Sequence, residues 1–297
     1  MKLTNILQIT ILLLLFLIFI NYFLVYNQQQ KCSDKINDNQ ISEQNADTKI
    51  YFITPTYSRP VQQAELTRLS HTLLLVPNLH WILVEDSDQK TSFITEFLQQ
   101  ILRMKIYKNF QYTHLNVETP KSFRTNNQLD PNWLKPRGVW QRNEALRWLR
   151  ENLTNIVIEK GIVYFGDDDN TYDLRLFEEI RSTQKVSVFP VGLVGGLMVE
   201  KPMVKNGKVI GFNSIWKPKR KFPIDMSGFA INLQLIREKN DAYFSPYVPR
   251  GYQETHLLTQ FIHSIDDLEP RADLCTKTLV WHTRTELPKL KKIKLKT

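Results

Sequence analysis

Ile162-Val163-Tyr164-Phe165 are four consecutive apolar, β-prone residues, and Gly166-Asp167-Asp168-Asp169-Asn170 follows at once. A run that is apolar at every position, rather than at alternate ones, suits a strand covered on both faces, the condition of an open α/β sheet. The three carboxylates then sit where that strand ends, and in such sheets ligands bind outside the carboxyl ends of the strands. Adjacent carboxylates repel one another unless something positive neutralises them, and their oxygens suit a hard divalent cation, Mg²⁺ or Mn²⁺. Taken alone, the triplet is also compatible with a solvated acidic turn capping a helix over Asp173 to Ile180.

The rest of the chain supplies partners for it. Lys49 to Thr54 reads as a strand ending at Pro55-Thr56-Tyr57-Ser58-Arg59-Pro60; Val61, Ala64 or Glu65, Leu69 and Leu73 follow at helical spacing, and Trp81 to Val84 is a second strand running into Glu85-Asp86. Strand, helix and strand in so short a span make a right-handed βαβ unit, the start of a nucleotide-binding half-fold. Asp86 would end the second strand, where it either accepts from a ribose hydroxyl or a base N–H or caps a helix. There is no Gly-x-Gly-x-x-Gly and no Walker loop, so phosphate must be held by metal and cationic side chains.

Pro136-Arg137-Gly138 opens a helix carrying Arg142, Leu146 and Leu149. Arginines there can clamp a phosphate or carboxylate, or simply be solvated. Val186 to Leu197 reads as strands with glycine turns, and Phe212 to Arg220 interleaves Trp216 with cationic groups, a pattern for stacking on a sugar unless Trp216 is core. Glu254 follows Gly251 at a helix start and shares a stripe with Leu257, Leu258 and Phe261. Its carboxylate would face inward, where desolvation raises its pKa and the helix terminus favours its ionised form; complementing that dipole is the plainer role. Strand character over Thr278 to Thr285 puts Val280, His282 and Arg284 on one face.

The 297 residues are enough for one sizeable domain. A net charge of +9 hints at nucleic acid, but five lysines lie in the last nine residues, 289–297, and subtracting them leaves 9 − 5 = +4. Nucleic-acid binding is therefore not expected. No charged side chain occurs from Leu3 to Gln30, and the 21 residues Ile6 to Tyr26 would span about 31 Å as a helix, enough for a bilayer. No small-residue cleavage site follows, so an uncleaved signal anchor at 6–26 is expected after a short tail at 1–5, with a polar stem at 27–48 and a luminal domain at 49–297. In an oxidising lumen, Cys32 of the stem invites an interchain disulfide, whereas Cys275 reads as a buried small hydrophobe. Asn152-Leu153-Thr154 is a glycosylation sequon.

Pro55-Thr56-Tyr57, Val84-Glu85-Asp86, Pro136-Arg137-Gly138 with Gln141-Arg142-Asn143, Asp167 to Tyr172, Phe222 to Met226, Gly251 to Glu254 and Trp281 to Glu286 together resemble the β-1,3-glucuronosyltransferase family, from about Lys49 to Pro288. The resemblance is strongest to the branch that completes the proteoglycan linkage tetrasaccharide. It implies a Rossmann-like α/β fold of the nucleotide-diphospho-sugar transferase (GT-A) type behind a single transmembrane helix, and a dimeric type II enzyme of the Golgi membrane. The implied reaction transfers glucuronic acid, with inversion and Mn²⁺, from UDP-glucuronate to a terminal galactose of Gal-Gal-Xyl. Glucuronidation of N-acetyllactosamine ends is the alternative, and a non-catalytic luminal lectin a distant one. The resemblance further implies that Asp169 ligates the metal, with Asp167 and Asp168 on the nucleotide sugar. Pro55, Tyr57, Asp86, Arg137 and Arg142 would surround the UDP, His282 and Arg284 the diphosphate, and Arg250 the glucuronate carboxylate. Glu200, Trp216, Arg220 and Asp225 would face the acceptor, with Glu254 as base. A donor half over about 49–195 and an acceptor half over about 196–288 follow from the same likeness.

Overall fold

The computed structural model describes residues 19–21, 48–104, 110–124, 135–153 and 160–286. Outside them, apart from 19–21 and Thr48, lie the anchor expected at 6–26, the stem at 27–48 with Cys32, and the basic tail at 289–297. Among the described residues no helix is long and apolar enough to cross a membrane.

In chain order the main elements are β1 (Lys49–Thr56), α1 (Gln62–Leu73), β2 (Leu79–Glu85), α2 (Ser92–Arg103), β3 (Gln111–Asn116), α3 (Val139–Asn152), β4 (Gly161–Phe165), β5 (Thr171–Tyr172), α4 (Leu174–Arg181), β6 (Val186–Val188), β7 (Val191–Val194), β8 (Leu197–Lys205), β9 (Lys208–Asn213), β10 (Phe229–Asn232), α5 (Leu233–Glu238), α6 (Gln253–Thr259), β11 (Leu268–Pro270) and β12 (Val280–Trp281). They make a mixed α/β fold. One seven-stranded sheet has the order β11-β6-β10-β4-β1-β2-β3, and within it β4, β1, β2 and β3 run parallel. Their carboxyl ends therefore share one edge.

Period two explains the apolar strands. Tyr51, Ile53, Val163 and Phe165 pack with Ala145, Leu146 and Leu149 of α3, while Ile50, Phe52, Ile162 and Tyr164 pack with Leu66, Leu69 and Leu73 of α1 and Leu98 of α2. Helices cover both faces, so no position on β1 or β4 faces water over its central residues, as a doubly covered parallel sheet requires.

Antiparallel β10 lies between β4 and β6, and β11 runs parallel beside β6. A second sheet, β5-β12-β7-β8-β9, contains the antiparallel run β7-β8-β9 with a bulge at Met203/Val204. The halves expected from the sequence are thus interleaved: β10 and β11 complete the first sheet, and β5 and β7 belong to the second. The strand expected over Thr278 to Thr285 is only Val280–Trp281. Beyond it the His282 amide still donates to the Gly192 carbonyl of β7 at 2.9 Å, and the Thr283 amide then folds back to the Trp281 carbonyl at 2.9 Å, ending the strand. On α1, Ala64 is exposed and Glu65 buried, for a reason found in the site.

Candidate active site

The carboxyl edge of the parallel strands gathers the loops that follow β1, β2, β3 and β4. β1 ends at Thr56, and the Asp86 amide after β2 donates to the Thr56 carbonyl at 2.8 Å. Pro55 pairs in register with Val84, and Tyr57 beyond it is 46% exposed. Asp86 does not cap a helix: its Oδ1 accepts from the Thr119 amide and its Oδ2 from the Thr119 hydroxyl, both at 2.7 Å, and the cap of α2 is Thr91. Pinning the loop after β3 leaves each carboxylate oxygen a further lone pair for a ligand.

α3 begins at Gly138, whose φ of 69° is left-handed. A Cβ there would collide with the Arg142 guanidinium, so glycine both adopts the turn and lets Arg142 fold back over the helix start. Arg142 donates to the Arg137 carbonyl at 3.0 Å and to Asp167 Oδ1 at 2.6 Å. Arg137 itself is exposed.

The three carboxylates occupy different environments. Asp167 pairs with Arg142, as above. Asp168 is buried, its Oδ2 accepting from Thr56 Oγ1 at 2.7 Å and its Oδ1 from Arg59 Nη2 at 2.6 Å. Each of its oxygens thus accepts one hydrogen bond from inside the fold. Asp169 has its backbone held, its carbonyl accepting from Arg68 Nη2 at 2.8 Å and Thr283 Oγ1 at 2.7 Å. Burial, then the neighbouring Asp167 and Asp168 charges, push its carboxyl up to about 6. A carboxylate raised by its own neighbours is one that a bound cation would return to the ionised form. Among the described residues, no three His, Cys, Asp or Glu side chains are placed to hold a metal by themselves.

The second half of the site lies on the other sheet and α6. Glu200 of β8 is buried, accepts from Ser214 Oγ at 2.6 Å, and is raised chiefly by desolvation. Trp216 is not core: it is 41% exposed, with the Arg250 guanidinium 5.2 Å from its ring centroid. Gly251, at φ 79°, has no room for a Cβ against Trp216 Nε1. Arg220 is buried and donates to the carbonyls of Gly251, of Trp216 at 3.2 Å and of Lys217 at 3.3 Å, so its fork shapes the Trp216 loop from within. Its Nη1 also lies 3.5 Å from Glu254 Oε2.

Glu254 stands in the first turn of α6, whose Leu257 and Leu258 are fully buried. Burial, with the nearby Asp225 charge adding to it, pushes its carboxyl up to about 7, and its own amide, Arg220 and Arg142 only partly offset this. Desolvation outweighs the helix terminus, the contest that the sequence left open.

Asp225 joins the two halves. Its Oδ1 accepts from the Ser227 amide at 3.0 Å and its Oδ2 lies 3.4 Å from His282 Nδ1. That contact raises His282; burial pushes the Asp225 carboxyl up, but the His282 contact and the Ser227 hydrogen bonds together hold it below its ordinary value. Asn170 donates to Ser227 Oγ at 2.6 Å, tying the triplet loop to the same turn. Arg250 is lowered by desolvation and then by the nearby positive charges of Arg137 and Arg284, so three exposed arginines share a space an anion would relieve. Asn152, the last residue of α3, is exposed and donates to the Trp148 carbonyl at 2.9 Å. Cys275 is buried, its thiol pushed up to about 12 by desolvation. Arg59, Arg68 and Thr283 are site residues that the sequence reading does not single out; Arg59 lies two residues beyond Tyr57 and Thr283 lies between His282 and Arg284, which is the available signal.

A glycosyltransferase family 43 model matches residues 69–286. Galactosylgalactosylxylosylprotein 3-beta-glucuronosyltransferase sqv-8 of Caenorhabditis elegans is 53% identical over 245 residues, covering 82% of this chain and 66% of that protein. Galactosylgalactosylxylosylprotein 3-beta-glucuronosyltransferase 1 of Rattus norvegicus is 52% identical over 244 residues, covering 81% and 70%. The human galactosylgalactosylxylosylprotein 3-beta-glucuronosyltransferase 3 is 51% identical over 252 residues, covering 82% and 72%. A crystal structure of S. aureus TarS 1-349 shares the fold at a TM-score of 0.50 and 15% identity, over 80% of this chain and 60% of that one.

Proposed function

Because this chain belongs to glycosyltransferase family 43, we propose that it is a galactosylgalactosylxylosylprotein 3-beta-glucuronosyltransferase of the GT-A type. It moves glucuronic acid from UDP-glucuronate to the 3-hydroxyl of the terminal galactose of Gal-Gal-Xyl. The observation that carries this reading is the contact between Asp225 and His282 at 3.4 Å, which joins a carboxylate triplet suited to a nucleotide diphosphate to a buried acid and an exposed tryptophan suited to a sugar.

Glu254 takes the proton from the acceptor hydroxyl as that oxygen attacks the anomeric carbon from the face opposite UDP; the bond from carbon to the UDP oxygen breaks, and UDP leaves with the negative charge. A group raised to about 7 holds a proton near neutral pH far better than an ordinary glutamate does, which is the property a general base needs. Trp216 offers its ring to the apolar face of the acceptor, and Glu200 lies behind the same loop through Ser214. His282, whose affinity for a proton the Asp225 contact raises, and the Arg137, Arg250 and Arg284 group face the anionic donor. Tyr57, Pro55 and Asp86 line the nucleotide end.

Asp169 fits a Mn²⁺ ion as its protein ligand, since Asp167 and Asp168 each pair with an arginine, while burial and those neighbouring charges push the Asp169 carboxyl up to about 6. Bound there with the diphosphate, the ion would supply positive charge to the departing UDP. The test is transfer from UDP-glucuronate to Gal-Gal-Xyl and to Gal-GlcNAc, each with Mn²⁺ and with chelator. Transfer to Gal-Gal-Xyl that chelation abolishes is expected, as is loss of Mn²⁺ rescue in Asp169→Ala; preference for Gal-GlcNAc, or full activity in chelator, overturns the reading. The same proposal places the chain in the Golgi membrane as a type II dimer, anchored by 6–26 and linked through Cys32, on the strength of the uncharged segment and the stem thiol.

A further inference from the structure

Arg59 touches two of the donor-site residues chosen from the sequence, Tyr57 and Asp168, without having been chosen itself. Its side chain is only 10% exposed. Nη2 donates to Asp168 Oδ1 at 2.6 Å and also pairs with Glu65 of α1, which is why Glu65 rather than Ala64 is the inward residue of that helix. Nη1 donates to the Tyr57 carbonyl at 3.2 Å, and the guanidinium lies 4.6 Å from the Tyr57 ring centroid. The other oxygen of Asp168 accepts from Thr56, whose hydroxyl accepts in turn from Gln62 Nε2 at 3.0 Å. One guanidinium therefore ties the exposed ring at the nucleotide end to the loop that carries Asp169.

We propose that Arg59, fixed by Glu65, is a positioning residue of the donor site. Asp168 receives its positive partner from inside the fold, just as Asp167 receives Arg142, so that an exchangeable cation is left to Asp169. Because the same guanidinium seats Tyr57, the nucleotide contact and the diphosphate contact are set in one register, and binding at one end depends on order at the other. An arginine fork can satisfy a carboxylate, a second carboxylate, a carbonyl and a ring face at once; a lysine ammonium cannot. This rests on the UDP and Mn²⁺ reading above.

The test measures binding of Mn²⁺ alone and of UDP at saturating Mn²⁺ by the full-length chain, beside its thermal midpoint. Partners one step removed from a metal site typically set about 10-fold to 100-fold in affinity. Arg59→Met is expected to weaken UDP binding at saturating Mn²⁺ by about tenfold or more, with Arg59→Lys recovering only part of it. A lower midpoint with UDP affinity within about twofold of wild type, under the size of effect expected, would reduce Arg59 to a structural ion pair and overturn the proposal. Should Arg59→Met fail to fold, the Arg59→Met/Glu65→Leu double variant, which replaces the pair by apolar groups, carries the same comparison. If the wild-type chain itself binds no UDP in Mn²⁺, the donor-site reading falls; if wild type binds and the variants bind equally well, only the role of Arg59 does.

Discussion

Replacing Glu254 by Gln should make the protein inactive and, above neutral pH, more stable. The folded carboxyl is pushed from 4.5 up to about 7, and a shift of that size corresponds to about 3 kcal/mol. The sign follows from the direction. The folded state binds the proton more tightly than the unfolded chain, so the stability this group contributes is complete below pH 4.5 and is lost as pH rises through about 7. Above that pH the native protein holds a desolvated carboxylate. Gln has no proton to lose, so the difference in midpoint between variant and wild type should be near zero at low pH and grow toward pH 8. At about 2–4 °C per kcal/mol for a domain of this size, the full effect is about 6–12 °C. The lower end is expected, because Arg220 loses a charged partner 3.5 Å away. Transfer should fall by about 10² to 10⁴, the usual worth of a general base, with UDP binding unchanged. Thermal melts across pH and transfer rates on the same preparations decide it. A midpoint difference that does not vary with pH would show that the carboxylate is not held against solvation, and near wild-type transfer would remove Glu254 as the base.

Gly251→Ala must place a side chain at φ 79° against Trp216; a weaker apparent affinity for the acceptor, with UDP binding intact, is expected in steady-state kinetics, and an unchanged acceptor KM would mean that Trp216 does not form that subsite. Asp225→Asn removes the charge that raises Glu254, Glu200 and His282 alike, so both limbs of the pH–rate profile should move to lower pH; movement of one limb alone would separate the two halves of the site. Carbonate extraction should leave the full-length chain in the membrane pellet, and Cys32→Ser should abolish a dimer band on a non-reducing gel; a soluble chain starting near residue 27, or an unchanged band, would refute the anchor or the disulfide in turn.

Much of this arrangement was legible in the sequence because its causes are local. An unbroken apolar run foretold β4, covered on both faces, and the change from apolar to acidic foretold where the strand ends. The stripe through Glu254, Leu257 and Leu258 foretold an inward carboxylate, and the structure adds only that desolvation prevails over the helix terminus there. What the sequence could not convey is which charges meet. Asp167, Asp168 and Asp169 are the same letter three times, yet they are distinguished by Arg142, 25 positions away, and Arg59, 109 positions away. The strand expected at Thr278 to Thr285 is cut short by a turn in which the Thr283 amide folds back to the Trp281 carbonyl, a closure that the residue types there do not announce.

Burial sorts the arginines of this site into two kinds, and the sorting bears on mechanism. Arg59, Arg142 and Arg220 are largely enclosed and spend their donors on Asp168, Asp167 and backbone carbonyls. Arranged in that way, these guanidiniums hold the shape of the loops around them. Arg137, Arg250 and Arg284 are exposed, and Arg250 is lowered by desolvation and then by the charges of the other two. Holding like charges together costs free energy in the free protein, and that cost is recovered when an anion enters between them. Resemblance alone gives Arg142 and Arg220 the same ligand-contacting role as Arg250. The geometry adds that they are also the frame against which Asp167, Trp216 and Glu254 are set. Arg142→Lys and Arg220→Lys should therefore loosen that frame through their lost forks, whereas Arg250→Lys keeps the charge that an exposed anion contact mainly needs.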